Sequence, residues 1–158
     1  MPRSDLIDRP LTPAERVIAQ SMFGDALDLE PVRIRKRKWW PFQPRNVTMA
    51  PRGHIHFHPA GRSYCDCFGD GAIDAQGLFI HEMTHVWQHQ SGTNLLLRRH
   101  PFCRYGYDFV PGKPFVRYGI EQQAEIVRHV LLMRLGYGVP GKPPLPALEA
   151  ILPFGGNA

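Results

Sequence analysis

The chain has 158 residues, 43% of them hydrophobic, and a formal net charge of +5. This length and composition predict a single globular domain over residues 1–158 with a modest core. No run of about 18 apolar residues occurs, which argues against a membrane-spanning helix. Residues 1–5 lack the apolar core of a secretory signal. We therefore expect a cytoplasmic protein, or one exported by a dedicated machine that needs no signal peptide.

The cysteines are odd in number: Cys65, Cys67 and Cys103. This argues against a disulfide framework and favours a reducing compartment. Cys65 and Cys67 form a C-x-C pair that could bind metal. Because no second cysteine pair accompanies them, free thiols are the favoured interpretation.

Residues 1–10 predict a loose polar leader. Thr12, Pro13 and Glu15 then have the spacing of a capping box with proline in the first helical turn, which predicts a helix to about Phe23. Gly24 can end that helix. The side chains expected on its buried side are Val17, Ile18, Ser21 and Met22.

Residues 32–38 alternate in part and predict the first strand of a small sheet. Trp39 and Trp40 directly follow its basic residues, which are Arg33, Arg35, Lys36, Arg37 and Lys38. Such a run beside aromatics can bind nucleic acid, or its charges can protect an edge strand from aggregation. We favour the edge strand, because no recognised nucleic-acid motif accompanies the run.

Residues 53–59 predict a second strand, with Ile55 and Phe57 on one face. His54, His56 and His58 lie on the other face, which is expected to meet solvent or a cleft. Strand positions two apart are separated by about 6–7 Å, so the three imidazoles suit a shared metal poorly. The backbone of this strand could instead pair with an extended peptide.

The third predicted element is a helix from about Asp74 to Gln90, closed by Ser91 and Gly92. It carries the pattern H-E-x-x-H at His81, Glu82 and His85. Two imidazoles four positions apart lie one turn apart on one helix face, a spacing that lets both bind one Zn²⁺ ion per chain. Glu82 is placed to reach a water on that metal rather than the metal itself, which suits a general base.

A second helix over residues 118–135, ended by Gly136 and Gly138, is expected to supply the third ligand. Its apolar positions have helical spacing: Ile120, Ala124, Val127, Leu131 and Leu135. Glu121 and Glu125 are one turn apart on it. One can bind the metal while the other accepts a hydrogen bond from a ligand histidine.

The E-x-x-A-E arrangement of Glu121 and Glu125 resembles the E-x-x-A-D element of gluzincin metallopeptidases. That resemblance implies that Glu121 is the ligand and Glu125 supports a histidine, although Glu in place of Asp leaves the reverse assignment open. The segments 79–88 and 118–126 together also resemble the small bacterial proteins called Vgr-related, or Rhs element Vgr proteins. Residues 11–15, 23–26 and 112–115 extend this similarity over roughly residues 11–135. It implies a zincin-like domain connected with contractile secretion systems, and it supplies no substrate.

The expected architecture is therefore α+β and zincin-like, with a small mixed or antiparallel sheet packed on the H-E-x-x-H helix and a second ligand-bearing helix. The tail over residues 139–158 is rich in proline and is expected to be loosely packed or extended. The long connection over residues 98–119 offers side chains that could stabilise a developing oxyanion, and the sequence does not choose among them. These candidates are Tyr105, Tyr107, Tyr118 and His100.

The predicted function is zinc-dependent hydrolysis of a peptide bond, with a peptide or protein as substrate. Glu82 would take a proton from the attacking water and pass it to the leaving amine. Three alternatives stay open. The domain could bind zinc as an idle structural or adaptor part of a secretion apparatus, it could be a basic nucleic-acid-binding protein, or it could be an amidase acting on cell-wall peptides.

Overall fold

The structure, a computed structural model, describes residues 7–95 and 104–154. In chain order its strands and helices are β1 (Asp8–Pro10), α1 (Pro13–Phe23), β2 (Arg33–Arg35), β3 (Ile55–His56), α2 (Ile73–Gln90), α3 (Ile120–Arg134) and α4 (Leu145–Glu149). The predicted α+β class is confirmed. Within the described ranges, no helix is both long and apolar enough to cross a bilayer.

The sheet is small and mixed, with the order β1-β2-β3. β1 pairs with β2 antiparallel, and β2 pairs with β3 parallel. β2 is therefore the central strand, so the prediction of an edge strand over the basic run was wrong. The charges of its arginines are instead balanced from β1: Asp8 contacts Arg33 at 2.7 Å and Arg35 at 3.3 Å.

α1 has the predicted start, because Thr12 and Glu15 form both hydrogen bonds of a capping box. Its buried face differs from the prediction. Met22 is buried as expected, but Val17 is 69% exposed and Ser21 is exposed, while Glu15 is fully buried. Hydrophobicity alone predicted the wrong buried face of α1, because the charged side chain of Glu15 is buried there by its hydrogen bonds.

That carboxylate holds three segments together. It accepts two hydrogen bonds from the Arg9 guanidinium, at 3.1 and 2.9 Å, one from the backbone N–H of Thr12 at 2.9 Å, and one from that of Phe68 at 3.0 Å. Residues 8–10 are thus ordered as β1, and the expected loose leader was wrong for them. Residues 1–6 lie outside the described ranges.

α2 and α3 pack against each other and carry the core beneath the candidate site. Both helices match the prediction closely, and Gly136 follows α3 with a φ of +90°, a value that favours glycine. Leu135 is 48% exposed, so it does not belong to the buried face. β3 contacts α2. The histidine face of this strand was predicted to meet solvent or a cleft, but His56 is 5% exposed and is not among the residues that line the cleft described below.

The C-terminal segment is packed, contrary to the expected extended tail. α4 buries Leu148 completely. Phe154 lies against three aromatic side chains, with ring centroids 4.7 Å from Phe23, 4.9 Å from Trp87 and 6.1 Å from Phe115.

Candidate metal centre

The two histidines of α2 and one glutamate of α3 meet inside the protein. His81 Nε2 and His85 Nε2 each lie 3.1 Å from Glu121 Oε2. All three side chains are buried, and one ligand atom from each lies within 4.8 Å of the other two. The α2–α3 packing thus places the predicted ligand set at one point.

Glu125 occupies the supporting position that the resemblance implied. Its Oε1 lies 3.4 Å from His81 Nδ1, on the side of the ring opposite Glu121. Its carboxylate also contacts Arg128 Nη1 at 3.3 Å and His129 Nε2 at 3.5 Å. Of the two glutamates, Glu121 is therefore the one that faces both imidazoles, and Glu125 faces the outer nitrogen of one.

Gln88 fixes the orientation of His85, a role that the sequence reasoning missed. Gln123 Nε2 donates to the Tyr118 carbonyl at 2.9 Å, so Gln123 Oε1 is left to accept from Gln88 Nε2, also at 2.9 Å. Gln88 Oε1 then faces His85 Nδ1 at 2.8 Å. The available signal was the position of Gln88 three residues after His85, one turn along α2.

This chain of amides determines which nitrogen of His85 carries a hydrogen. Because Gln88 Oε1 can only accept, His85 Nδ1 donates to it, and a neutral His85 presents a bare Nε2 to Glu121. His81 is arranged in the same way between Glu125 and Glu121. The lone pairs of the two imidazole Nε2 atoms and of Glu121 Oε2 thus converge on one buried point. A cation, either a proton or a metal ion, is needed there to offset the repulsion between them. Two imidazoles and a carboxylate are a donor set that suits Zn²⁺.

The pKa values of His81 and Glu121 also reflect the need for a cation at this point. Burial lowers the pKa of His81, but hydrogen bonds to Glu121 and Glu125 outweigh that effect and raise the pKa to about 10. Burial raises the pKa of Glu121, but its close contacts with the His81 and His85 imidazoles outweigh burial and hold that pKa well below its usual value. In the metal-free protein, a proton therefore stays at the His81–Glu121 contact at neutral pH.

A cleft in two lobes opens beside these residues, and Glu82 lines both of them. The first lobe is largely apolar, with Met49, Leu95 and Ile120 in its wall. The second is more polar and is bordered by Glu125 and Arg128. Glu82 is 5% exposed, so it combines burial with a position at the surface of the cleft.

Tyr105 is the one of the three tyrosine candidates that lines the cleft, where it contributes to both lobes. Its ring stacks on His81 with centroids 5.8 Å apart. The Tyr107 hydroxyl instead lies 2.8 Å from His129 Nδ1, and the Tyr118 hydroxyl accepts from the backbone N–H of Val110 at 3.1 Å. His100 lies outside the described residues.

The extended segment at the rim of the cleft was assigned to the wrong residues in the sequence. Thr48, Met49 and Ala50 line the cleft. Met49 exchanges two backbone hydrogen bonds with His56, at 3.0 and 2.7 Å. Met49 thus occupies the edge of β3 at which the sequence predicted pairing with an extended peptide. The Met49–His56 pair is an isolated antiparallel bridge, and Thr48 and Ala50 do not extend it into a longer ladder.

Cys65 and Cys67 are both partly buried. Cys65 and Cys67 form no disulfide, and Cys67 Sγ lies 2.9 Å from the Thr12 hydroxyl at the start of α1. Cys103 lies outside the described residues.

The fold and the buried histidine–glutamate cluster define a small α+β protein with a candidate metal centre. No family model matches the chain. It is 41% identical over 138 residues to the type VI secretion system spike protein VgrG2b of Pseudomonas aeruginosa, a match that covers 82% of this chain and 13% of that protein. The chain therefore spans only a small part of that relative.

Among solved structures, the chain is similar to the effector domain of Pseudomonas aeruginosa VgrG2b. The TM-score is 0.76 at 37% sequence identity, and the match covers 90% of this chain and 80% of that domain. The chain therefore belongs to the family of the VgrG2b effector domain. This confirms the predicted Vgr relationship, and the full-length relative is named as a spike protein of the type VI secretion system.

Proposed function

We propose that this protein is a zinc-dependent peptidase with a zincin-like active site, and that it acts as a type VI secretion effector domain. The observation that carries the proposal is the convergence of His81 Nε2, His85 Nε2 and Glu121 Oε2 beside a cleft that Glu82 also lines. A metal site with a purely structural role would need only His81, His85 and Glu121. An acidic side chain at the surface of the cleft supports hydrolysis.

The metal would be held by His81, His85 and Glu121. When bound there, Zn²⁺ lowers the pKa of a coordinated water and polarises a carbonyl group. The protein contributes the orientation of the ligands, because Gln88 and Glu125 each fix the outer nitrogen of one imidazole. Such supporting contacts commonly affect metal affinity tenfold to a hundredfold.

Glu82 is the proposed general base. It takes a proton from water as that water attacks the carbonyl carbon, and it passes the proton to the nitrogen of the leaving amine. Tyr105 is the proposed donor to the developing oxyanion, since it lines both lobes of the cleft next to His81. Tyr107 and Tyr118 do not line the cleft. Their hydroxyls are instead hydrogen-bonded to His129 and to the backbone of Val110.

A peptide substrate would lie extended along residues 48–50. Thr48 and Ala50 line the cleft on either side of Met49, and their backbone groups would hydrogen-bond to a peptide backbone, as in β-strand addition. The apolar lobe formed by Met49, Leu95 and Ile120 would then receive a substrate side chain. This geometry favours unstructured segments of proteins over folded ones, because the cleft needs an extended chain.

The decisive comparison is between Glu82→Gln and a control, Glu30→Gln, at a surface glutamate whose side chain is 80% exposed. Both variants should bind one Zn²⁺ per chain. On a mixed peptide pool read by mass spectrometry, Glu82→Gln should lose at least a hundredfold in rate, within the range typical of general bases, while the control keeps the parental rate. His81→Ala should lose metal as well as activity. If the parent binds zinc and cleaves no peptide in the pool, the alternative of an idle zinc-binding adaptor domain replaces the enzyme.

A further inference from the structure

The net positive charge of the chain comes from one segment of the sequence. Residues 31–65 contain 8 Lys or Arg and no Asp or Glu. The rest of the chain carries 11 Lys or Arg and 14 Asp or Glu, which is a net charge of −3. The excess of positive charge thus belongs to residues 31–65.

At the centre of this segment, residues 37–45 form a loop with an apolar tip, which we call the docking loop. Trp40 is 43% exposed and Phe42 is 75% exposed. Their rings contact each other edge to face, with centroids 5.4 Å apart. Two large aromatic side chains side by side in water are an unfavourable arrangement unless something covers them.

Exposed cations flank that tip on both sides. Arg37 and Lys38 precede the aromatic residues and Arg45 follows them, and all three are exposed. None of them forms an ion pair with another described residue. The loop therefore presents an apolar point surrounded by unneutralised positive charge.

The loop has a defined shape, because Gln43 ties it to the body of the protein. Gln43 is 3% exposed. Its Oε1 accepts from the backbone N–H of Trp39 at 2.8 Å, and its Nε2 donates to the carbonyls of Val47 and His56, at 2.8 and 3.1 Å. A prearranged tip loses less conformational entropy on binding than a flexible one would.

We propose that the docking loop binds anionic phospholipid membranes peripherally. Trp and Phe side chains insert at the boundary between headgroups and acyl chains, while nearby Lys and Arg attract anionic headgroups. A single-stranded nucleic acid fits less well. A base stacks on an open aromatic face, whereas Trp40 and Phe42 pack edge to face at 70°, so the edge of one ring covers a face of the other.

The test is sedimentation of the full chain with vesicles of phosphatidylcholine alone or with about 30% phosphatidylglycerol. We expect binding to the anionic vesicles only, weakened by 1 M salt, which shortens the screening length to about 3 Å. Trp40→Ala combined with Phe42→Ala should weaken binding at least tenfold. Tyr137→Ala, a control at an aromatic side chain that is 52% exposed elsewhere, should leave binding unchanged.

Charge is tested with Lys38→Glu against Arg117→Glu, which makes the same change in net charge at an exposed arginine outside the basic segment. Each basic residue near an anionic surface contributes about fivefold in affinity, so reversal at Lys38 should cost about 25-fold and reversal at Arg117 much less. Equal losses in the two variants, or equal binding to neutral vesicles, would overturn the proposal. Binding to oligothymidine without binding to vesicles would assign the loop to nucleic acid instead. Glu82→Gln should bind vesicles like the parent, so this result is independent of peptidase activity.

Discussion

Gln88→Met is the substitution that best separates the organisation of the centre from its ligands. Methionine has nearly the volume of glutamine but lacks its amide. Gln88 is 1% exposed and makes three hydrogen bonds, to His85 Nδ1, to the Ile120 carbonyl and to Gln123 Oε1. The variant keeps all three proposed ligands, so any loss of metal affinity reflects their orientation.

The expected size of the effect follows from those contacts. A hydrogen bond contributes about 0.5–1.5 kcal/mol net, so three of them predict a loss of about 2–4 kcal/mol in the unfolding free energy of the metal-free protein. The ring of His85 also loses the acceptor that holds the hydrogen on Nδ1. Loss of such a contact should weaken zinc binding by about tenfold to a hundredfold.

Two measurements check this prediction: urea unfolding of the metal-free protein, and competition for Zn²⁺ with a chromophoric chelator. The control is Gln90→Met on the same helix, where Gln90 is exposed and makes two hydrogen bonds with the backbone of Asp28. The control should lose a little stability and no zinc affinity. If Gln88→Met binds zinc as tightly as the parent, the proposed alignment of His85 through Gln88 is refuted.

Three further predictions concern pH, stability and turnover. Because the metal displaces the proton held by His81, whose pKa is about 10, the apparent dissociation constant for Zn²⁺ should fall at least tenfold per pH unit from pH 6 to 8 in chelator competition, and a pH-independent constant would contradict this. The same raised pKa should add to the free energy of unfolding of the metal-free protein. This contribution should be fully present below pH 6.5 and should be lost as pH rises through 10. Glu15→Ala should lower the free energy of unfolding, measured in urea, by about 3 kcal/mol, because it leaves the Arg9 guanidinium without its carboxylate partner. A loss below about 1 kcal/mol would argue against the structural role of Glu15. Tyr105→Phe should lower kcat on cleaved peptides with little change in KM, whereas an unchanged kcat would remove Tyr105 from the proposed mechanism.

The histidine–glutamate cluster could be predicted from the sequence because its residues lie on helices, where spacing determines direction. His81 and His85 are one turn apart, as are Glu121 and Glu125, so each pair shares a face before any packing is known. The amide chain through Gln88 and Gln123 crosses between the two helices. Such a contact depends on how the helices pack, and no periodicity within one helix shows it.

Strands were harder to predict for the same reason. The basic run was assigned to an edge because of its charges. The strand that pairs with it, β1, gave no signal in the sequence, since it is only three residues long, ends in proline and has no alternation that identifies it. Its pairing with β2 depends on Asp8, which is distant in sequence from Arg33 and Arg35. Burial of Glu15 likewise requires Arg9 from that strand, so hydrophobicity favoured Val17 for the core instead.

The packing of Phe154 determines where the chain can be shortened safely. A fragment that stops after α3 would keep every proposed ligand, yet it would uncover the aromatic surface formed by Phe23, Trp87 and Phe115. Trp87 is two residues beyond His85 on α2, so this surface directly adjoins the helix that carries the histidines. Fusions or truncations intended for biochemical work should therefore keep residues through 154, or they will expose a sticky aromatic face and aggregate.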